Sequence, residues 1–557
     1  TTFQGNTLEA VAAVSATSVL TVGFQHVGPA TQALTERYNG TVWSLVVSPN
    51  ANAFSTSFNA IVAVDPTHVW AVGRYLASGR VPLAEFWNGS RWQVAPVPAP
   101  GGVLAGDAEL LDVAAVSAND IWAVGTGLTN INHQTGNAPF AEHWNGIAWS
   151  LVAQPVSDSA PLGVVALSTN DVWAGGGATS TGRLLEHWNG SSWTSSTPAA
   201  SGPGAVYGFA AFSSSDIWAS GDGLSTQSMV EHWNGSSWST TNIYLPGTGG
   251  NGGNLAGLDG ISSADIWGVG HEYGSNPTHG LIFHWNGSIW SQFSYGQPTG
   301  ASDVLKSVNS LSAKDVWLVG SRTPAGSSLI DSVAAHWNGA SWSRVNVPVS
   351  ASSDALNDLS ALAGGCLWAA GYVQPSLQVP LVQRLCPVQV TDTGFSPAAA
   401  SASQGLAAAW SFPVANMAPH TIREQDVGLF TSPSIVPGGS FVFTPFAAAT
   451  YTILEDAGTP GQHTGTLAVP LKVSPTSGKT TTTFTITIAS KAAPVGDTYE
   501  FQVDPPGAAG FATVSNGTAR TFSYTPNVGP GTYVLQARLD KGTTHTGFSP
   551  TLSITVS

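Results

Sequence analysis

Short runs in which apolar residues alternate with polar or small ones fill this chain, and turn residues separate them. Thr482-Thr-Phe-Thr-Ile-Thr-Ile488 alternates strictly, while Leu111-Asp112-Val113-Ala114-Ala115-Val116-Ser117 does so with small side chains. A period of two predicts strands that bury one face. Over the first two thirds of the chain these strands recur in a fixed order. An inner strand of small residues comes first, then Asp-(Ile/Val)-Trp-Ala-x-Gly, then Glu-His-Trp, an Asn-Gly turn, and a last strand opening on Trp. The first tryptophan of the unit falls at Trp70, Trp122, Trp173, Trp218, Trp267, Trp317 and Trp368, with Leu20 one step upstream.

A period near fifty built of four short strands is the mark of a β-propeller. Inner strands begin near Leu8, Phe58, Leu110, Leu162, Val206, Leu255, Leu305 and Leu356, whereas outer strands follow only Trp43, Trp92, Trp149, Trp193, Trp238, Trp290 and Trp342. The expected fold is therefore all-β: an eight-bladed propeller over 1–386, closed by Thr1–Gly5 as the missing outer strand, then two β-sandwich domains over 387–473 and 474–557. A seven-bladed ring is the alternative. Asn-Gly marks the hairpins because both residues tolerate positive φ.

The repeats also align with one another. Asp120, Asp171, Asp216, Asp265 and Asp315 open the second strand in the same five units that carry His143, His187, His232, His284 and His336 on the third. Ser18, His68 and Cys366 replace the Asp where Arg37, Phe86 and Arg384 replace the His. Residues kept or lost together predict a structural Asp–His pair within each blade, the Asp also capping the turn into its strand; a ring of metal-binding histidines is the competing reading. Cys366 and Cys386 bracket neighbouring strands of the eighth unit and are predicted to form a disulfide, which suits an oxidising compartment.

Composition narrows the function classes. Of 557 residues 42% are hydrophobic, enough for several cores, and only 9% are charged. The net charge is −15 with 17 basic residues and no basic cluster, which argues against nucleic-acid binding. No apolar run is long enough for a transmembrane segment. The opening Thr1-Thr2-Phe3 reads as a trimmed or processed start. Few lysines, many Ser/Thr and two cysteines point to a secreted or cell-surface protein. Asn39, Asn88, Asn189, Asn234, Asn286 and Asn516 open N-glycosylation sequons, although five of these are the hairpin turns themselves.

Val172-Trp173-Ala174-Gly175-Gly176, followed by Trp188 and Trp193, resembles the kelch repeat of galactose-oxidase-type propellers. That resemblance implies the fold and little about activity. From Val388 to Val469 the order Pro419-His420, Pro437 through Phe441 and Thr450-Tyr451 resembles a cupredoxin, and the residues beyond resemble bacterial immunoglobulin-like modules. In a copper-binding cupredoxin a thiolate would stand where this chain has Glu455 or Asp456. A vestigial site from His420, Glu455 and His463 is the most that position could offer, and no cofactor is expected. Galactose-oxidase chemistry would need a Cys-linked Tyr, for which no cysteine is left over.

Three functions remain open. A non-catalytic subunit of an extracellular coat, sheath or filament, acting by self-association or with other surface proteins, fits the low charge best. A glycan- or protein-binding adhesin or lectin would use the face carrying the variable connections, Gly125–Ala141 and Gly270–Leu281 among them. A secreted enzyme of galactose-oxidase-like or glycan-acting type is the third.

Overall fold

The computed structural model describes residues 6–15, 17–27, 30–39, 43–49, 55–100, 107–131, 134–155, 159–178, 182–198, 204–222, 227–244, 252–272, 277–345, 353–361, 367–374, 379–385, 388–396, 398–402, 404, 408–412, 416–437, 440–443, 445–456, 463–475 and 477–557. Every regular element among them is a strand. The chain divides into two compact units: Thr1–Arg344 with Val349–Leu385, and Cys386–Ser557 with Val345–Pro348.

The first unit is a β-propeller. Its strands form antiparallel meanders in chain order, such as Thr56–Asp65, His68–Leu76, Arg80–Trp87 and Trp92–Ala95. The last meander has three described strands, Ser353–Ala361, Leu367–Gln374 and Val379–Leu385. Among the described residues eight innermost strands touch one another in a closed cycle that returns from Ser353–Ala361 to Thr7–Ser15. Three bonds join the ends of the cycle: Val11 N–H donates to Asp358 Oδ2 at 3.0 Å, Ala13 N–H to Ser360 Oγ at 3.0 Å, and Asn357 Nδ2 to the Leu8 carbonyl at 3.0 Å. Thr1–Gly5, predicted to supply a further strand here, lie outside the described residues.

Tryptophans set the spacing between blades. The second-strand Trp of one blade packs on the third- and fourth-strand Trp of the next: Trp122 on Trp188 and Trp193, Trp173 on Trp233 and Trp238, Trp218 on Trp285 and Trp290, with ring centroids 5.0–6.0 Å apart. Trp368 makes the same contact on Tyr38 and Trp43, at 4.8 and 5.3 Å, so one aromatic motif also joins the last blade to the first. Such large apolar bodies dominate the burial that drives folding.

The glycine of Trp-Ala-x-Gly has a specific cause. Each innermost strand carries a β-bulge, one extra residue set against its partner strand: Glu9, Asn59, Leu111, Leu162, Tyr207, Ala256, Lys306 and Asn357. Beside each bulge stands Gly23, Gly73, Gly125, Gly176, Gly221, Gly270, Gly320 or Gly371, where a Cβ would lie 1.8–2.2 Å from a backbone carbonyl oxygen of the inner strand. The bulge brings two backbones so close that no side chain fits between them.

Cys366 and Cys386 lie outside the described residues, but Leu367 and Leu385, their neighbours in sequence, are register partners. We expect no free thiol when the unreduced protein is unfolded and titrated. Two titratable thiols would exclude the disulfide.

The second unit holds two cores. Val390, Trp410, Phe412, Ile422, Tyr451, Ile453 and Leu467 fill the first, between two four-stranded sheets. Phe484, Ile486, Tyr499, Phe501, Tyr533, Leu535 and Ile554 fill the second, between a three- and a six-stranded sheet. Phe446, Ala447, Ala448 and Leu471 join this second cluster, and Lys472–Ser474 pairs with Phe484–Thr487. The two cores therefore meet through continuous apolar packing. No helix among the described residues is long and apolar enough to cross a membrane.

Candidate functional site

Antiparallel pairing of the second and third strands places each Asp beside the His of its own blade. His143, His187, His232, His284 and His336 hold Nε2 at 2.8, 2.8, 2.9, 2.8 and 2.9 Å from Oδ1 of Asp120, Asp171, Asp216, Asp265 and Asp315. A carboxylate only accepts, so Nε2 carries the proton. Each imidazole also lies over the second-strand indole, with centroids 4.1–4.4 Å apart. Among the described residues no three His, Cys, Asp or Glu gather as a metal site.

The expected turn cap is supplied by a different residue. The Ser that opens each Ser-x-x-Asp turn accepts the backbone N–H two residues on, as in Ser117, Ser168, Ser213, Ser262 and Ser312. The Asp points along the blade face instead, where the Trp173, Trp218 and Trp317 indoles donate to Asp171, Asp216 and Asp315. Its side chain cannot both close the turn and reach the third strand.

Between neighbouring blades this face forms a cleft. In the cleft between the fifth and sixth blades, of about 490 Å³, Asp216, His232 and Trp218 form one wall with Ser239 and Thr241 of the outer strand. Ser263, Trp285 and Gly287 of the next blade form the other. Trp285 is half-buried, and its Nε1 donates to the Ser263 carbonyl at 3.0 Å, which fixes its plane. The Asn-Gly turns make the rim rigid: Asn234 and Asn286 Oδ1 each accept two backbone N–H bonds, and Gly235 and Gly287 sit near φ +90°.

The residue three beyond the outer-strand Trp decides whether the equivalent cleft is open. Thr241 holds that position here. In the next cleft it is Phe293, whose ring lies 5.3 Å from Trp267, 6.1 Å from His284 and 5.2 Å from Trp337, filling the space. In the preceding cleft Ser196 holds it and accepts from the Trp238 indole at 3.0 Å. The sequence shows this position varying among regular neighbours, a signal legible only once the register between blades is known. The cleft lies beside the short turns, on the face opposite the variable connections. One of those connections is itself regular: Gly125–Ala141 extends a hairpin as far as Ile131↔Gln134.

The second unit brings together the residues of the vestigial site, but not as metal ligands. Glu455, fully buried, accepts from His420 Nδ1 at 2.6 Å and from His463 Nδ1 at 2.8 Å, while His420 Nε2 meets Asp392 Oδ1 at 2.9 Å. Both ring nitrogens of His420 face carboxylates. Asp456, the other residue that the sequence resemblance offered for a thiolate's place, pairs with Arg423 at 3.1 Å. A soft cupric-thiolate centre does not fit this all-oxygen and occupied-imidazole set. Copper loading followed by dialysis should leave no intense visible band, and one tightly held coloured copper per chain would overturn that reading.

No protein-family model matches the chain, and no curated protein sequence does. Among solved structures it is similar to YCF48 bound to D1 peptide, at 17% identity over 58% of this chain and 92% of that one with a TM-score of 0.39. It is similar to the fucose-recognising, six-bladed lectin of the fungus Aleuria aurantia, at 14% identity over 53% and 97%, TM-score 0.33. It is also similar to the extracellular domain of BT4673 from B. thetaiotaomicron, at 8% identity over 100% and 98%, TM-score 0.36.

Proposed function

We propose that this protein is a non-catalytic, extracellular saccharide-binding protein, with its site in the cleft between the fifth and sixth blades. The observation that carries the reading is the cleft's lining. A half-buried indole and a stacked imidazole supply flat apolar surface, while Asp216, Ser239, Thr241 and Ser263 supply acceptors and donors. A sugar ring presents the complementary pair: C–H bonds on its faces and hydroxyls on its edge. Few convergent polar groups in an aromatic concavity are the usual composition of a small-molecule site. Low charge and a Ser/Thr-rich surface agree with an exported protein. The eight-bladed count, the kelch-like ancestry of the blades and the cupredoxin-like and immunoglobulin-like character of the second unit belong to the same reading, with the tail as a rigid spacer.

Titration with neutral mono- and oligosaccharides, read by tryptophan fluorescence and saturation-transfer NMR, tests this. Thr241→Phe copies the neighbouring blade's plug and should abolish binding without lowering stability. Phe293→Thr should open a second site and raise the stoichiometry. No saturable response to any saccharide, or binding untouched by Thr241→Phe, would exclude the cleft. Ordered polymers of the native protein in electron micrographs would favour the coat or filament role instead.

A further inference from the structure

We propose a second, unrelated site at the inner rim of the propeller, formed by the bulge residues Glu9, Leu111, Leu162, Lys306 and Asn357, for a compact zwitterion with an apolar side chain, of the α-amino-acid class. Every innermost strand has its bulge at the same register position, and a bulge re-aims the extra side chain. All eight extra residues are half-buried. Around them the repeat is regular, yet they differ from blade to blade in size, polarity and charge.

Their order around the ring gives two unlike walls. In a cycle of eight, the third and fourth strands stand opposite the seventh and eighth. The strands that carry Leu111 and Leu162 thus stand across the ring from those that carry Lys306 and Asn357, and the Glu9 strand stands beside that of Asn357. Lys306 Nζ donates to Asn357 Oδ1 at 2.6 Å, and Asn357 Nδ2 donates onward to the Leu8 carbonyl at 3.0 Å. The amide is therefore oriented and the ammonium is held in place, and among the described residues two of its three donors have no partner. Burial raises the Glu9 carboxyl and lowers the Lys306 ammonium, and each feels the other's charge although the Asn357 strand stands between them. Both are charges partly stripped of water, which a ligand of opposite ends would re-solvate. The ligand's carboxylate would meet Lys306, its ammonium Glu9, and its side chain the leucine wall. Asn59 and Tyr207 are engaged elsewhere, with the Leu110 carbonyl and Asp222.

Calorimetric titration of the full chain with L-leucine, isocaproate and isoamylamine tests the assignment. Leucine should bind saturably, and the two half-analogues, each lacking one charged end, should bind about tenfold more weakly. Lys306→Met should weaken leucine binding by about tenfold with an unchanged circular dichroism spectrum, and Thr241→Phe should leave it intact. Absence of saturable leucine binding, half-analogues that bind equally well, or an unaffected Lys306→Met would overturn the proposal. If Lys306→Met does not fold, Glu9→Gln is judged by the same criteria against isocaproate, whose binding it should not change.

Discussion

Gly73→Ala should lower the stability of the propeller by about 3 kcal/mol, a cost at the upper end of overpacking. The new Cβ would lie 2.1 Å from the Ser57 carbonyl oxygen and 2.8 Å from the Phe58 Cα, both backbone atoms that no rotamer change can move. Relief requires the Thr56–Asp65 strand to shift away from His68–Leu76, which would pull Phe58 out of the core it shares with Trp87 and Trp92. Gly517→Ala is the control, since nothing lies within 4 Å of its Cβ position and its backbone is unstrained. Urea unfolding should show the propeller transition moving to lower denaturant for Gly73→Ala and unmoved for Gly517→Ala. Equal behaviour of the two variants would mean that the bulge is not what selects glycine.

The propeller should also lose stability as pH rises above neutrality. A glutamate precedes the His or its counterpart on the third strand of the first five blades, and Glu85, Glu142, Glu186 and Glu231 are fully buried between blades. Neither oxygen of Glu142 or Glu186 meets a hydrogen-bond partner among the described residues. Burial pushes both carboxyls up to about 8, and Glu36 and Glu85 up to about 7. Glu85 differs in having the Ser48 hydroxyl, which donates to it at 2.8 Å and opposes the rise. A carboxyl raised in the fold binds its proton more tightly there than in the unfolded chain. Its contribution is complete below the ordinary value of 4.5 and is lost as pH climbs through 8. At about 1.4 kcal/mol per pK unit, each of Glu142 and Glu186 carries up to about 5 kcal/mol of this dependence. The melting temperature of the first unit should therefore fall between pH 5 and pH 9, and Glu142→Gln with Glu186→Gln should flatten the curve. A melting temperature that stays level or rises over that range would show that these carboxyls are ionised in the fold.

Much of this molecule is legible in its residue order because a propeller is a local fold. Each blade closes on itself within about fifty residues, so strand order, hairpin turns and the Asp-to-His register follow from period-two patterning and Asn-Gly chemistry. The joint loss of Asp and His in three units marked those residues as a matched set without any coordinates. What lay beyond reach were relations between blades, because sequence separation says nothing about which faces meet. Trp285 looks like one more repeat tryptophan until it is seen opposite His232, and Thr241 looks like any outer-strand residue until Phe293 is seen plugging the equivalent space. The bulge residues hid for the same reason. An extra residue in a strand shifts the alternation by one, and only the partner strand shows that Glu9, Lys306 and Asn357 stand outside the ladder. In the tail, the spacing left Glu455 and Asp456 as equal candidates for one position. The structure distinguishes them only by surroundings: Glu455 is buried and accepts from both His420 and His463, while Asp456 pairs with Arg423. The chain by itself thus determined what each blade is made of; the tertiary structure decided which side chains from different blades share a space, because that depends on packing across distances the order of residues does not encode.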